Sequence, residues 1–387
     1  MEDVSTEPVS ERSLRWASTM LGYENGTDSV IRAHQDSKAR VEPDKNLASS
    51  SSGVLVDREH QLDELLIVGA TRSSGAGHRS REEEPDEFRT CFERDRDRIL
   101  HSAAFRRLAG KTQVFVFPED HMRTRLTHAL EVAQVATGIA RGVGLNVALT
   151  EAIALGHDCG HGPGGHASEE AFDPFLEGGF DHAMWGADVS LRPLNLCTET
   201  LDGIRNHSWS RPAPSTPEGE VVSWADRIAY VCHDFEDAVS AGVAKPEDLP
   251  EIVALRGGEK RGHQLGSFIN AMIRTIRATG VVGMDAHHAE ALAAFRHFNY
   301  ETIYLRDASR QQASTVVAML RALVEYFAEH PQLIPDVAER GGEVDSSSEA
   351  LFEAVAYVAG MTDRYACRRA VTLLDWPIDR LPSGIDR

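Results

Sequence analysis

Ala152-Ile-Ala-Leu-Gly-His-Asp-Cys-Gly-His-Gly-Pro-Gly-Gly-His-Ala-Ser-Glu-Glu170 changes character partway along. Its first residues continue an apolar run that begins near Asn146, and that run predicts a helix over 146–157. The helix leads straight into His157-Asp158, where Gly160 and then Gly162-Pro163-Gly164-Gly165 interrupt it. His157, His161 and His166 place three imidazoles within ten positions of one another, together with the Asp158 carboxylate. Neutral imidazole and carboxylate together suit a divalent first-row metal, and carboxylates also accept magnesium. Adjacent residues on a helix point about 100° apart. His157 and Asp158 therefore meet one ion only at a helix end, where Gly160 lets the chain turn.

Working outward, apolar residues recur at spacings of three and four. They predict helices over 94–108, 125–143, 220–241, 264–279, 286–305, 311–330 and 348–365. Alternating strand patterns are not evident, and Val114-Phe-Val-Phe117 is at most a short extended piece. Residues 1–84 read differently, with polar stretches, the serine run Ser49 to Ser52 and one short helical pattern around Leu14 to Leu21. Such a composition buries little apolar surface. The expected architecture is all-α: a weakly ordered arm over 1–84 and one large domain over 85–387.

Composition narrows the function. With 42% hydrophobic and 26% charged residues, the 387-residue chain is globular rather than disordered. A net charge of −20 argues against holding duplex DNA by bulk electrostatics. No apolar run approaches the ~18 residues of a membrane span. The acidic N-terminus lacks the apolar core of a signal peptide. Five scattered cysteines without a Cys-x-x-Cys pair fit reduced thiols in the cytoplasm, not a structural zinc-cysteine site.

Further metal ligands must come from elsewhere. His128 lies one turn into the helix that starts near Arg125, and Asp226 lies on the helix over 220–241. Taken singly, His128 reads as an ordinary hydrogen-bonded histidine and Asp226 as a surface acid. The odds move because the pieces come in order, each on a helical segment. Asp226, Tyr230 and Asp234 are spaced by four and share a face, with Arg227 alongside. That face is either solvated, or it carries a metal ligand, a phosphate-binding cation, a ring for a sugar and a carboxylate for a hydroxyl.

His128, His157-Asp158 and Asp226 resemble the H…HD…D signature of HD-domain metallohydrolases. A narrower likeness, to the deoxyguanosinetriphosphate triphosphohydrolase (dGTPase) family, lies in Arg94-Asp-Arg-Asp-Arg98 with its continuation to Val114, in Arg123-Thr-Arg-Leu-Thr-His128, in Gly178-Gly-Phe-Asp-His182 and in Ala359-Gly-Met-Thr-Asp-Arg-Tyr365. It runs from about Phe88 to Arg369. The resemblance implies an HD-domain helical bundle with additional C-terminal helices, and hydrolysis of a deoxynucleoside triphosphate to deoxynucleoside and inorganic triphosphate. It implies that His128, His157, Asp158 and Asp226 ligate a divalent metal, Mg²⁺, Mn²⁺ or Fe²⁺. It gives His166 and Glu169 catalytic roles, and matches His161 and His182 to active-site histidines. Arg125 and Arg227 match phosphate-binding cations. Gln113, Tyr230 and Asp234 match residues around the deoxyribose, and Tyr304 a nucleoside-stacking ring. Gly164 departs from the family, standing where a bulky aromatic is usual.

Against the net negative charge, Arg125, Arg227 and Lys111 are expected to form a local positive pocket with the metal. The three-residue spacing of His166 and Glu169 lets the acid orient the imidazole. Relatives assemble as homo-oligomers, and some use a nucleotide or single-stranded DNA effector, though no basic aromatic groove is legible here. Two other readings stand: another HD-type nucleotidase or phosphodiesterase, and a non-catalytic nucleotide-sensing protein.

Overall fold

The computed structural model describes residues 53–117 and 121–382, short pieces at 23–25 and 28–34, and positions 36, 38 and 41. The helical pattern around Leu14 to Leu21 and the run Ser49 to Ser52 lie outside the described residues. The chain divides into two units, Met1–Ser51 and Ser52–Arg387. The first contains a small antiparallel hairpin, in which Tyr23 pairs with Arg32 and Glu24 with Ile31. Sequence patterning missed these strands because each is only three to five residues long.

The second unit is helical, as expected of an all-α fold. Its helices are α1 Gly53–Glu64, α2 Cys91–His101, α3 Ala103–Arg107, α4 Arg125–Val143, α5 Val147–Gly156, α6 His166–Phe172, α7 His182–Trp185 and α8 Thr198–Arg205. They continue as α9 Pro217–Ser240, α10 Glu251–Gly257, α11 Arg261–Thr279, α12 Ala286–Asn299, α13 Asp307–Glu329, α14 Pro335–Glu339, α15 Ser347–Ala359 and α16 Asp363–Leu374. Among the described residues no helix is long and apolar enough to cross a membrane.

Local chemistry fixes the ends that matter. Thr124 donates its backbone N–H to the Thr127 hydroxyl at the start of α4, and Gly144 closes that helix in the left-handed region. The Asn146 side chain accepts from Leu149 N to start α5. Thr216 caps α9, with Pro217 in its first turn. The helix expected over 94–108 is broken at Ser102, whose backbone is extended and whose hydroxyl caps α3 by accepting from Phe105 N. The helix expected over 348–365 stops at Ala359, and α16 restarts after Thr362. Likewise α12 ends at Asn299 and gives way to a wider turn over Tyr300–Tyr304.

Two apolar clusters carry the unit. In one, α4 packs on α5 and α9, and α5 packs on α2, with Phe92, Ile99, Ile139, Ile153 and Ile228 fully buried. In the other, α13 packs against α6, α15 and α16 around Phe172, Leu320 and Phe327. Each such side chain contributes roughly 1.5–3 kcal/mol on burial.

The helical unit begins at Ser52, ahead of residue 84. Residues 53–84 look solvated because they are polar, yet their polar groups partner buried acids of the helical body. Glu218, fully buried, accepts from Thr71 N, Thr71 Oγ1 and Asn146 N. Asp95, also fully buried, accepts from Arg79 Nη1 at 2.6 Å, Cys197 N and Thr200 Oγ1. Buried carboxylates need such partners.

Candidate metal centre

His157 caps the C-terminus of α5 in helical geometry, and Asp158 follows as the chain leaves the helix. His157 Nδ1 lies 2.7 Å from Ala154 O. A carbonyl only accepts, so Nδ1 carries the ring proton and Nε2 presents its lone pair. That Nε2 is buried and has no hydrogen-bond partner. It lies 3.7 Å from Asp226 Oδ1 and 3.5 Å from Asp158 Oδ1. His128 on α4 brings its Nε2 to 3.1 Å from the same Asp226 oxygen. His128, His157 and Asp226 thus form a compact group able to hold a metal ion. Asp158 stands at its edge, with Oδ2 accepting from Arg125 Nη1 at 2.8 Å and Oδ1 3.2 Å from His161 Nε2.

Electrostatics keep both acids ionised. Burial works against the Asp158 charge, but Arg125, His157 and His161 overcome it and hold the carboxyl well below the usual range. Burial likewise opposes the Asp226 charge, and His128, then His157, bring its carboxyl down. An orphaned imidazole lone pair beside two ionised carboxylates is the donor set of a divalent cation.

Beyond this group the loop turns back on itself. A β-carbon at Gly160 would lie 1.9 Å from His182 O, so only glycine lets the two backbones meet. Gly164 adopts a left-handed φ of 74°, and Val316 from α13 fills the space where its side chain would point. That packing accounts for the absence of a bulky aromatic here.

Glu169 on α6 lies 2.5 Å from His182 Nδ1 but 3.6 Å from His166 Nδ1. The expected His166–Glu169 pairing is therefore secondary, and Glu169 chiefly orients His182, which comes from a separate helix. Burial disfavours the His182 imidazolium, yet Glu169 outweighs it and raises the pKa. His161 is kept neutral by burial, then by Arg125 and His182.

These groups open into a cavity of about 650 Å³, within the range of small-molecule sites. Of the residues singled out from the sequence, Gln113, Arg125, His128, Asp158, His161, His166, His182, Asp226, Arg227, Tyr230, Asp234 and Tyr304 line it. His157 and Glu169 lie behind them, touching the lining through Asp226 and His182. The face of α9 is a cavity wall rather than a solvated surface. Burial pushes the Asp234 carboxyl up to about 7 even though Tyr304 donates to it.

Lys111 does not join the positive pocket. It is buried away from the cavity, its ammonium donates to His161 O and Ala359 O, and burial pulls its pKa down to about 7. Arg296 and Arg306 line the cavity instead. Arg296 donates from Nε to Tyr230 Oη at 2.8 Å.

Sequence reading also missed His207. It sits just past α8, donates from Nδ1 to Ile204 O at 2.7 Å, and brings its Nε2 to 3.2 Å from His182 Nε2. Burial, then His157 and His182, push its pKa down to about 4. Its only signal was a lone histidine at a helix end, indistinguishable from a structural one.

Residues 125–231 match the HD domain, and residues 282–371 match the phosphohydrolase-associated domain. A deoxyguanosinetriphosphate triphosphohydrolase-like protein of Caldanaerobacter subterraneus is 43% identical over 309 residues, covering 78% of this chain and 90% of the relative. One from Clostridium perfringens is 41% identical, covering 74% and 87%. One from Deinococcus radiodurans is 34% identical, covering 80% and 96%. With the H…HD…D residues gathered in one place and relatives matched over nearly their whole length, this chain belongs to the deoxyguanosinetriphosphate triphosphohydrolase-like family of HD-domain phosphohydrolases.

Proposed function

We propose that this protein hydrolyses deoxynucleoside triphosphates to deoxynucleoside and inorganic triphosphate. The observation that carries the proposal is the partnerless, buried Nε2 of His157 beside Asp226, at the wall of an arginine-lined cavity. His128, His157, Asp158 and Asp226 hold the divalent ion, for which Mg²⁺, Mn²⁺ and Fe²⁺ are the ions to test. The ion supplies Lewis-acid polarisation of a phosphoryl oxygen.

The chain's own groups do the rest. Arg125, Arg227, Arg296 and Arg306 gather the triphosphate against an overall charge of −20. Glu169 on Nδ1 favours the protonated form of His182, which gives the departing 5′ oxygen the Nε2 proton that His207 Nε2 otherwise accepts; such general acid help is worth roughly 10²–10⁴-fold. His207 turns the lone pair of its Nε2 toward His182 and fixes that ring's orientation. Along the same face of α9 as Asp226, Asp234 and Tyr304 share a hydrogen bond and Tyr230 stands one turn away, a tight surround for a sugar without a 2′-hydroxyl. Gln113 Oε1, buried and without a partner, is available to a substrate donor.

The test is a product assay with the four dNTPs and the matching ribonucleotides at defined metal. Inorganic triphosphate from dNTPs and its loss in Asp226→Asn are expected. Release of monophosphate instead would favour another HD-type phosphohydrolase, and no turnover under any metal would favour a nucleotide sensor.

A further inference from the structure

Glu169 is the meeting point of three imidazoles. Its Oε1 lies 2.5 Å from His182 Nδ1, 3.6 Å from His166 Nδ1 and 3.8 Å from His161 Nδ1. One ligand atom from each of these four residues falls within 4.8 Å of all the others. A tetrahedral ion with bonds of about 2.0–2.1 Å spaces its donors about 3.4 Å apart, so shifts of several tenths of an ångström to about an ångström would close the set.

The outer nitrogens of the two buried rings are already spoken for. His161 Nε2 faces Asp158 Oδ1 at 3.2 Å and donates to it, which leaves the lone pair on Nδ1. That Nδ1 belongs to a residue only 1% exposed and has no hydrogen-bond partner. Hiding such an acceptor without a partner is costly. His182 Nε2 faces the acceptor Nε2 of His207 at 3.2 Å, so its Nδ1 turns toward Glu169. The rings of His161 and His182 stack with centroids 3.8 Å apart, holding both Nδ1 atoms on one side.

We propose that His161, His166, Glu169 and His182 form a second divalent-metal site, distinct from the His128–His157–Asp158–Asp226 centre and suited to a borderline transition ion such as Zn²⁺. Three imidazoles with a single carboxylate discriminate against Mg²⁺, which demands oxygen ligands. The His166 side chain is 74% exposed, so an arriving ion has a route in and a ring free to adjust. Filling the site removes the Nδ1 proton of His182, so excess zinc stops turnover. That last consequence alone rests on the proposed triphosphohydrolase reading.

The experiment counts Zn²⁺ bound to the full-length protein by calorimetry and by metal analysis after dialysis. Wild type should bind two ions per chain. His166→Ala should weaken the second at least tenfold, as loss of one ligand does, and His166→Ala/Glu169→Gln should reduce the count to one. Asp226→Asn should lose the other ion and keep this one. Because His166 is largely exposed, its alanine variant should melt as wild type does, which separates ligand loss from unfolding. A wild-type count of one, or two ions still bound tightly in the double variant, would overturn the proposal. Counting ions needs no turnover, so a chain that binds two ions but hydrolyses no dNTP overturns the proposed function and leaves the second site standing.

Discussion

Gly160→Ala adds one methyl group where two backbones touch. The new β-carbon would lie 1.9 Å from His182 O, 2.4 Å from Gly186 N and 2.8 Å from Gly186 Cα, whereas ordinary contact begins at 3.4 Å. The His182 carbonyl must withdraw by about 1.5 Å, the difference between 3.4 and 1.9 Å, and being backbone it cannot swing aside. Overpacking of this kind costs about 1–3 kcal/mol, and the backbone shift places this case at the upper end. His182 begins α7, so the shift also opens its 2.5 Å contact with Glu169. A misplacement near 1 Å costs about 10²-fold in rate. Urea unfolding and steady-state turnover of dNTP measure the two losses separately. Gly266→Ala is the control: no heavy atom lies within 4 Å of its β-carbon position inside α11, so it should stabilise by about 0.5–1 kcal/mol. If Gly160→Ala unfolds with the wild type and turns over at the wild-type rate, the contact between these loops does not position His182.

Asp158→Ala leaves the buried Arg125 guanidinium without its 2.8 Å partner, a loss of about 3–5 kcal/mol, and Arg125→Met/Asp158→Ala should recover part of it in the same unfolding assay. Asp234 titrates near 7 in the fold against about 3.9 unfolded, so the stability from its neutral form is complete below pH ~4 and is lost as pH rises to ~7. The stability of Asp234→Asn relative to wild type should therefore climb between pH 5 and 7 and then level off; a flat difference would show that Asp234 stays ionised. Removal of residues 1–84 strips from Glu218 and Asp95 partners that removal of 1–51 keeps, at roughly 1–3 kcal/mol per orphaned group, and equal melting of the two truncations would show that Thr71 and Arg79 contribute nothing there.

The long helices were legible because their apolar stripes are long. α4, α5 and α9 each present a sustained pattern, and the residues that converge on Asp226 sit on them or at their ends. What was illegible depended on partners distant in sequence. Lys111 reads as a pocket cation until two carbonyls, His161 O and Ala359 O, claim its ammonium. Glu169 reads as the orienter of its neighbour His166 until α7 brings His182 closer. The polar stretch 65–81 reads as solvated because nothing local reveals that Glu218 and Asp95 are buried beneath it. The break at Ser102 turns on one hydroxyl, within an apolar spacing that runs on past it.

The Arg227 guanidinium carbon sits 3.3 Å above the Trp209 ring, whose indole nitrogen donates to Ser223 O at 3.1 Å and whose edge meets Trp224. A positive charge resting on a fluorophore alters its emission, and an anion that draws Arg227 away restores it. Trp209 is 46% exposed and lines the cavity, so filling that space gives an optical signal from the unlabelled polypeptide. The same stacking makes an incoming negative group compete with an aromatic face for a single cation.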